Sequence, residues 1–132
     1  MIAMTPRSTR PPKLCLAVAL WSLASQAVAQ TPDPGTGRQV FQTQCSICHT
    51  IQPNQSKIGP TLFGVVNRPA GQVAGFHYSE ANKHSGLTWD PATLDRYLAA
   101  PRQVVPGTFM TFPGLKDPTL RADVIAFLET LH

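Results

Sequence analysis

Apolar residues in the last segment of the chain recur with helical spacing. Leu120, Val124, Phe127, Leu128 and Leu131 fall at i, i+4, i+7, i+8 and i+11, one face of a helix. Asp117 followed by Pro118 marks its start, a capping carboxylate ahead of a proline in the first turn. A second helix begins the same way at Asp90-Pro91. It presents Leu94, Tyr97 and Leu98 on one side and must end before Pro101. A third runs from about Gly37 to His49, capped by Thr36, with Val40, Phe41, Cys45 and Cys48 on its apolar side. Residues 53–75 and 101–114, rich in Gly and Pro, lie between these segments, and no stretch alternates as a strand does. The pattern predicts an all-α domain with long irregular loops. Loops of that length in a small domain need something central to pack on.

The start of the chain is patterned differently. Arg7, Arg10 and Lys13 precede an apolar run, Leu14 to Leu23, that is too short to span a bilayer as a stable helix. Ala27-Val28-Ala29 is an A-x-A cleavage signal, with the cut expected before Gln30. Residues 1–29 therefore read as a secretory signal peptide and residues 30–132 as the mature domain, the alternative being a retained membrane anchor. Cys15 leaves with the leader, and Pro12-Lys13-Leu14 ahead of it does not resemble a lipoprotein signal. The expected destination is the bacterial periplasm.

Removing the leader changes the charge. The chain has eleven Lys and Arg against seven Asp and Glu. Three of the basic residues and none of the acidic ones precede residue 30, so the mature balance is +1. That removes the case for nucleic acid or an anionic membrane as partner. A mature domain of about a hundred residues buries a modest share of its surface and is marginally stable alone. A large apolar cofactor would supply the missing core.

The candidate chemistry is Cys45-Ser46-Ile47-Cys48-His49, the C-x-x-C-H pattern of covalent haem attachment. On a helix, positions i and i+3 share a face, so both thiols reach the vinyl groups on one haem edge. His49 follows Cys45 by four and projects its imidazole from that face toward the iron. A zinc site would need about four ligands, whereas His77, His84 and His132 are not paired at ligand spacing. A thioredoxin-like C-x-x-C expects a βαβ context, which is absent. A Cys45–Cys48 disulfide would close a very short loop and gain little. Met110 is the only methionine after the leader. It is either core filler or the sixth iron ligand, and its extended loop, Val105 to Met110, suits a thioether laid over a flat ring.

With these segments in view, the chain from about Gly35 onward resembles the class I cytochromes c, of the mitochondrial and bacterial c2 kind. The matching stretches are Gly37-Arg38-Gln39-Val40-Phe41, Cys45 to Thr50 and Gly59-Pro60-Thr61-Leu62-Phe63-Gly64. Tyr78-Ser79-Glu80-Ala81-Asn82-Lys83, Gly86-Leu87-Thr88-Trp89, Pro106-Gly107-Thr108-Phe109-Met110 and Arg121 to Leu128 continue the match. The resemblance implies three to five short helices and long loops wrapped around one covalent haem c. It implies His49 and Met110 as axial ligands, with the Pro60 carbonyl on the other ring nitrogen of His49. It places Arg68, Tyr78 and Trp89 at the haem propionates, and Tyr97, Asn82 and Thr108 in a polar network near Met110 or a propionate. Gly37 and Phe41 would pack against Phe127 where the first and last helices cross. Arg68 as a solvated charge, and Trp89 and Tyr97 as simple core, are the plainer readings of those residues.

The implied function is one-electron transfer between redox partners of a respiratory or related chain, by a monomer that is not an enzyme and binds no small-molecule substrate. The alternative is a haem peroxidase, or a gas or redox sensor, with a labile Met110. The family's basic rim is thin here: Gln44, Phe109 and Pro113 stand where lysines are common, leaving Lys57, Lys83, Lys116 and Arg102. Transient docking at an exposed haem edge is therefore expected to rely on Phe109 and Phe112 with Lys57 and Lys116, and less on charge steering.

Overall fold

The computed structural model describes residues 30–132, so the expected signal peptide, residues 1–29, lies outside the described residues. Five α-helices carry the domain: α1 (Pro34–Val40), α2 (Glu80–Lys83), α3 (Pro91–Ala99), α4 (Pro101–Val104) and α5 (Pro118–Glu129). Among the described residues the extended backbone pairs only at one isolated bridge, Pro69 with Thr88.

Four of the helices open with proline, and three of these have an aspartate as cap. Asp90 accepts the Thr93 N–H at the start of α3, and Asp117 accepts those of Thr119 and Leu120 at the start of α5, as expected from the Asp-Pro pairs. The first helix begins earlier than its apolar pattern predicts. Asp33, not Thr36, is the cap, accepting the Gly35 and Thr36 N–H groups. Pro34 has no N–H to leave unsatisfied, so Asp33-Pro34 is the better start. Pro101 likewise ends α3 and then opens α4.

Beyond α1 the helix widens into a π turn, Phe41–Cys45, in which the Ser46 N–H reaches back to the Phe41 carbonyl at 2.9 Å. Thr43 and Ser46 hydroxyls donate to the Gln39 and Gln42 carbonyls beside it, the kind of back-bonding that accompanies a distorted turn. The His49 N–H then returns to the Cys45 carbonyl at 2.9 Å, a normal helical step.

Helices α1 and α5 cross tightly. Val40, Phe41, Val124 and Phe127 form one buried cluster, with the Phe41 and Phe127 rings 5.8 Å apart. A second cluster joins Val65, Trp89, Leu94, Tyr97, Val105, Ile125 and Leu128. Residues of both clusters, together with residues of the long loops, line one cleft.

Candidate functional site

The cleft has a volume of about 620 Å³, within the range of sites that bury a cofactor-sized molecule. Its lining is mostly apolar, with Phe41, Leu62, Val65, Leu94, Val124 and Leu128 at its depth. Every residue expected at the site lines it: Cys45, Cys48, His49, Pro60, Arg68, Tyr78, Asn82, Trp89, Tyr97, Thr108 and Met110. These come from segments far apart in sequence, and the fold brings them all together.

On one wall, the turn after the π segment presents both thiols. Burial, reinforced by the neighbouring Cys48, pushes the Cys45 pKa up to about 11, so Cys45 stays a thiol and not a reactive thiolate. The His49 Nδ1 lies 2.7 Å from the Pro60 carbonyl. That contact makes Nδ1 the donor and leaves Nε2 with its lone pair. Burial holds the His49 pKa below the ordinary imidazole value, partly opposed by the Pro60 contact. The neutral ring is the form that binds a metal. Gly59 lies flat against this ring: a Cβ there would sit 2.7 Å from His49 Nδ1.

Met110 stands on the loop between α4 and α5. Its N–H donates to Thr108 Oγ1 at 3.2 Å, and that oxygen lies 3.3 Å from the Tyr97 hydroxyl. Burial raises the Tyr97 pKa, the Thr108 contact opposing it, so the hydroxyl stays protonated and able to donate. Tyr97 also packs on Trp89 with ring centroids 4.7 Å apart. Arg68 donates to the Phe63 and Thr61 carbonyls, both at 2.9 Å, so it is a braced group and not a freely solvated charge. Tyr78 accepts the Val73 N–H at 3.3 Å. Asn82 is buried at the cleft, and its Oδ1 has no hydrogen-bond partner among the described residues.

This donor set fits haem. Two thiols, an imidazole with one nitrogen already held and a thioether face one apolar cleft, and the buried Asn82 amide is left with a polar atom to satisfy. Among the described residues no group of three or more His, Cys, Asp and Glu side chains gathers as a metal site.

The mouth is more apolar than the sequence suggests. Ile47 and Ile58 are each 78 % exposed and Phe109 66 %, and all three border the cleft. Phe112, expected among the exposed contacts, is half-buried. Ile47 lies between the two cysteines, and its helical position, off the face they share, was the available signal. Lys57 donates to the Ser46 carbonyl at 2.8 Å, Lys116 to the Ala99 carbonyl at 2.7 Å, and Lys83 pairs with Glu80 at 2.8 Å. His77, remote from Met110 in sequence, stacks on Phe109 with centroids 6.2 Å apart.

The Cytochrome c family model matches residues 35–132. Cytochrome c2 of Rhodomicrobium vannielii is 53% identical over 117 residues, covering 88% of this chain and 90% of that protein. Cytochrome c2 of Rhodopila globiformis is 50% identical over 99 residues, 75% of this chain and 93% of its own. The solved structure of cytochrome cH from Methylobacterium extorquens superposes with a TM-score of 0.71 at 45% identity, covering 74% of this chain and 98% of that one.

Proposed function

The chain belongs to the cytochrome c family, and from that premise we propose that its haem is tethered through Cys45 and Cys48 and ligated by His49 and Met110. The protein is a mono-haem electron carrier whose cofactor is covalently bound haem c. The observation that carries the ligand assignment is the His49 contact to Pro60 at 2.7 Å, which commits Nδ1 and reserves Nε2 for a metal in the same cleft that Met110 lines.

Bound haem iron supplies a one-electron couple, and a sulfur and nitrogen ligand pair raises its potential. The chain's own residues do the rest. Pro60 and Gly59 fix the His49 ring. Thr108 holds the Met110 backbone, and the apolar depth of the cleft excludes water. Arg68, Tyr78 and Trp89 are positioned to meet the carboxylates of the cofactor, and Asn82 to satisfy its buried amide there. Were His49 and Met110 both to hold the iron, the site would favour electron transfer over ligand chemistry.

The test is spectroscopic. The oxidised protein is expected to show a sulfur-to-iron band at the red edge of its spectrum and to bind cyanide slowly. Met110→Ala removes the band, speeds cyanide binding about a hundredfold or more, and lowers the potential by on the order of 100 mV. A high-spin wild-type spectrum with rapid cyanide binding would overturn the ligation and favour a haem enzyme or sensor.

The reading extends to a monomer exported to the periplasm, supported by the leader pattern of residues 1–29, and to docking of redox proteins at the mouth of the cleft. Ile47, Ile58 and Phe109 supply the contact, and among the described residues no carboxylate lines the cleft. Lys57 and Lys116 border a surface whose charge is modest. Electron-transfer rates with a partner protein should therefore change less than about threefold over a tenfold range of ionic strength. A steep fall with salt would show that charge, and not the apolar ring, directs the encounter.

A further inference from the structure

The loop bearing Met110 has little to hold it where the ligand sits. Phe109, Thr111, Phe112 and Gly114 make no backbone N–H bond to another described residue. The Met110 N–H reaches only Thr108 Oγ1. The outgoing arm is fixed just past α4, where the carbonyl of the capping residue Val105 accepts the Thr108 N–H at 3.1 Å. The returning arm is fixed elsewhere, by two cations outside the cleft, Arg121 and Lys116.

Arg121, in the first turns of α5, is 12 % exposed and makes three bonds. Its Nε donates to Asp95 on α3 at 2.7 Å, and its Nη1 donates to the Leu115 and Lys116 carbonyls, both at 3.0 Å. Lys116 extends the opposite way, its Nζ donating to the Ala99 carbonyl at 2.7 Å and the Pro113 carbonyl at 3.3 Å. The Leu115 N–H completes the joint on the Leu98 carbonyl at 2.8 Å. Leu98 and Ala99 end α3, where carbonyls lack helical partners. Gly114, at φ +105, permits the close approach: a Cβ there would overlap the Ala99 carbonyl oxygen.

We propose that Arg121 and Lys116 are positioning residues that clamp the return arm of the methionine loop to α3 and α5, and so set how readily the Met110 thioether leaves the iron. The proposal rests on Met110 being the axial ligand. Neither cation lines the cleft; each acts through the backbone of residues 113–116. Charge-assisted bonds to carbonyls are the strong kind, and loss of one such anchor loosens the loop while the cores around α1 and α5 remain packed.

The test measures imidazole binding to the oxidised holoprotein, under conditions where far-UV circular dichroism shows it fully folded. Imidazole enters only as the thioether leaves. Arg121→Leu and Lys116→Met are each expected to bind imidazole at least about tenfold faster than wild type. The comparison variant Arg96→Leu removes an exposed cation of α3 whose side chain bonds only Thr93; it should stay within about twofold. Lys116 is exposed, so its replacement leaves folding intact even if Arg121→Leu does not. A Lys116→Met rate equal to that of Arg96→Leu overturns the clamp. Absence of the red-edge sulfur-to-iron band in wild type overturns instead the ligation on which it stands.

Discussion

The double variant Cys45→Ala, Cys48→Ala, made in cells that mature c-type cytochromes, is expected to accumulate as a colourless chain with little helix. The reason is the size of the cleft. At about 24 cal/mol per Å³, a void of about 620 Å³ would cost on the order of 15 kcal/mol, as much as the whole stability of such a domain. Water entering the open mouth lowers that figure but wets apolar walls. The chain without its cofactor therefore collapses or unfolds. Covalent attachment keeps the core filler from dissociating, since its effective concentration no longer depends on supply. Haem staining after denaturing electrophoresis and far-UV circular dichroism check the result. A haem-free variant with native helix content would show that the helices hold the cleft open by themselves.

The second large effect is expected at Gly37, buried where α1 crosses α5. A Cβ there would overlap the Asp123 backbone carbonyl and lie 2.8 Å from the Phe127 Cβ. Neither atom can swing aside, so the helices must separate. That would strain the Phe41–Phe127 ring contact, the bond from the Asp33 N–H to the Asp123 carboxylate at 2.8 Å, and the Arg38 guanidinium 4.9 Å above the Phe127 ring. Gly37→Ala should cost about 3 kcal/mol, lowering Tm by roughly 15 °C, despite alanine's better helix propensity. Gly35→Ala is the internal comparison, because the nearest atom to its Cβ would be a flexible Asp33 carboxylate oxygen at 3.2 Å. Denaturant unfolding of the two holoproteins should differ by at least about 2 kcal/mol. Equal midpoints would mean that the crossing relaxes without loss.

What the sequence reveals and conceals follows from how local each signal is. Helix α5 and the start of α3 are legible because an aspartate, a proline and an apolar stripe agree within a few residues. The start of α1 is misread because the apolar stripe first shows at Val40, well after the chain has already been capped by Asp33. Helix α2 has one turn, too short to show a period, and only its cap, Ser79, marks it. Cys45, Cys48 and His49 declare themselves by spacing. Pro60, Arg68, Tyr78, Asn82, Trp89, Tyr97 and Thr108 carry no local pattern. They are reached through resemblance, and the shared cleft brings them together. The joint made by Arg121 and Lys116 is invisible in sequence because its acceptors are backbone carbonyls, which any residue could supply.

The π turn between α1 and the attachment motif has a consequence for what substitution can reach. One residue added to a helical turn rotates everything beyond it by about 100°. Residues 37 and 40 address α5 and residues 48 and 49 the cleft, while Phe41 and Cys45, at the two ends of the widened turn, touch both. The widened turn acts as a phase adjuster between two faces that a regular helix would hold in fixed relation. Gln42, Thr43 and Gln44 are exposed, so their identities are cheap to vary. Their number is not: the count of residues between the crossing and the first thiol is what aims the cofactor.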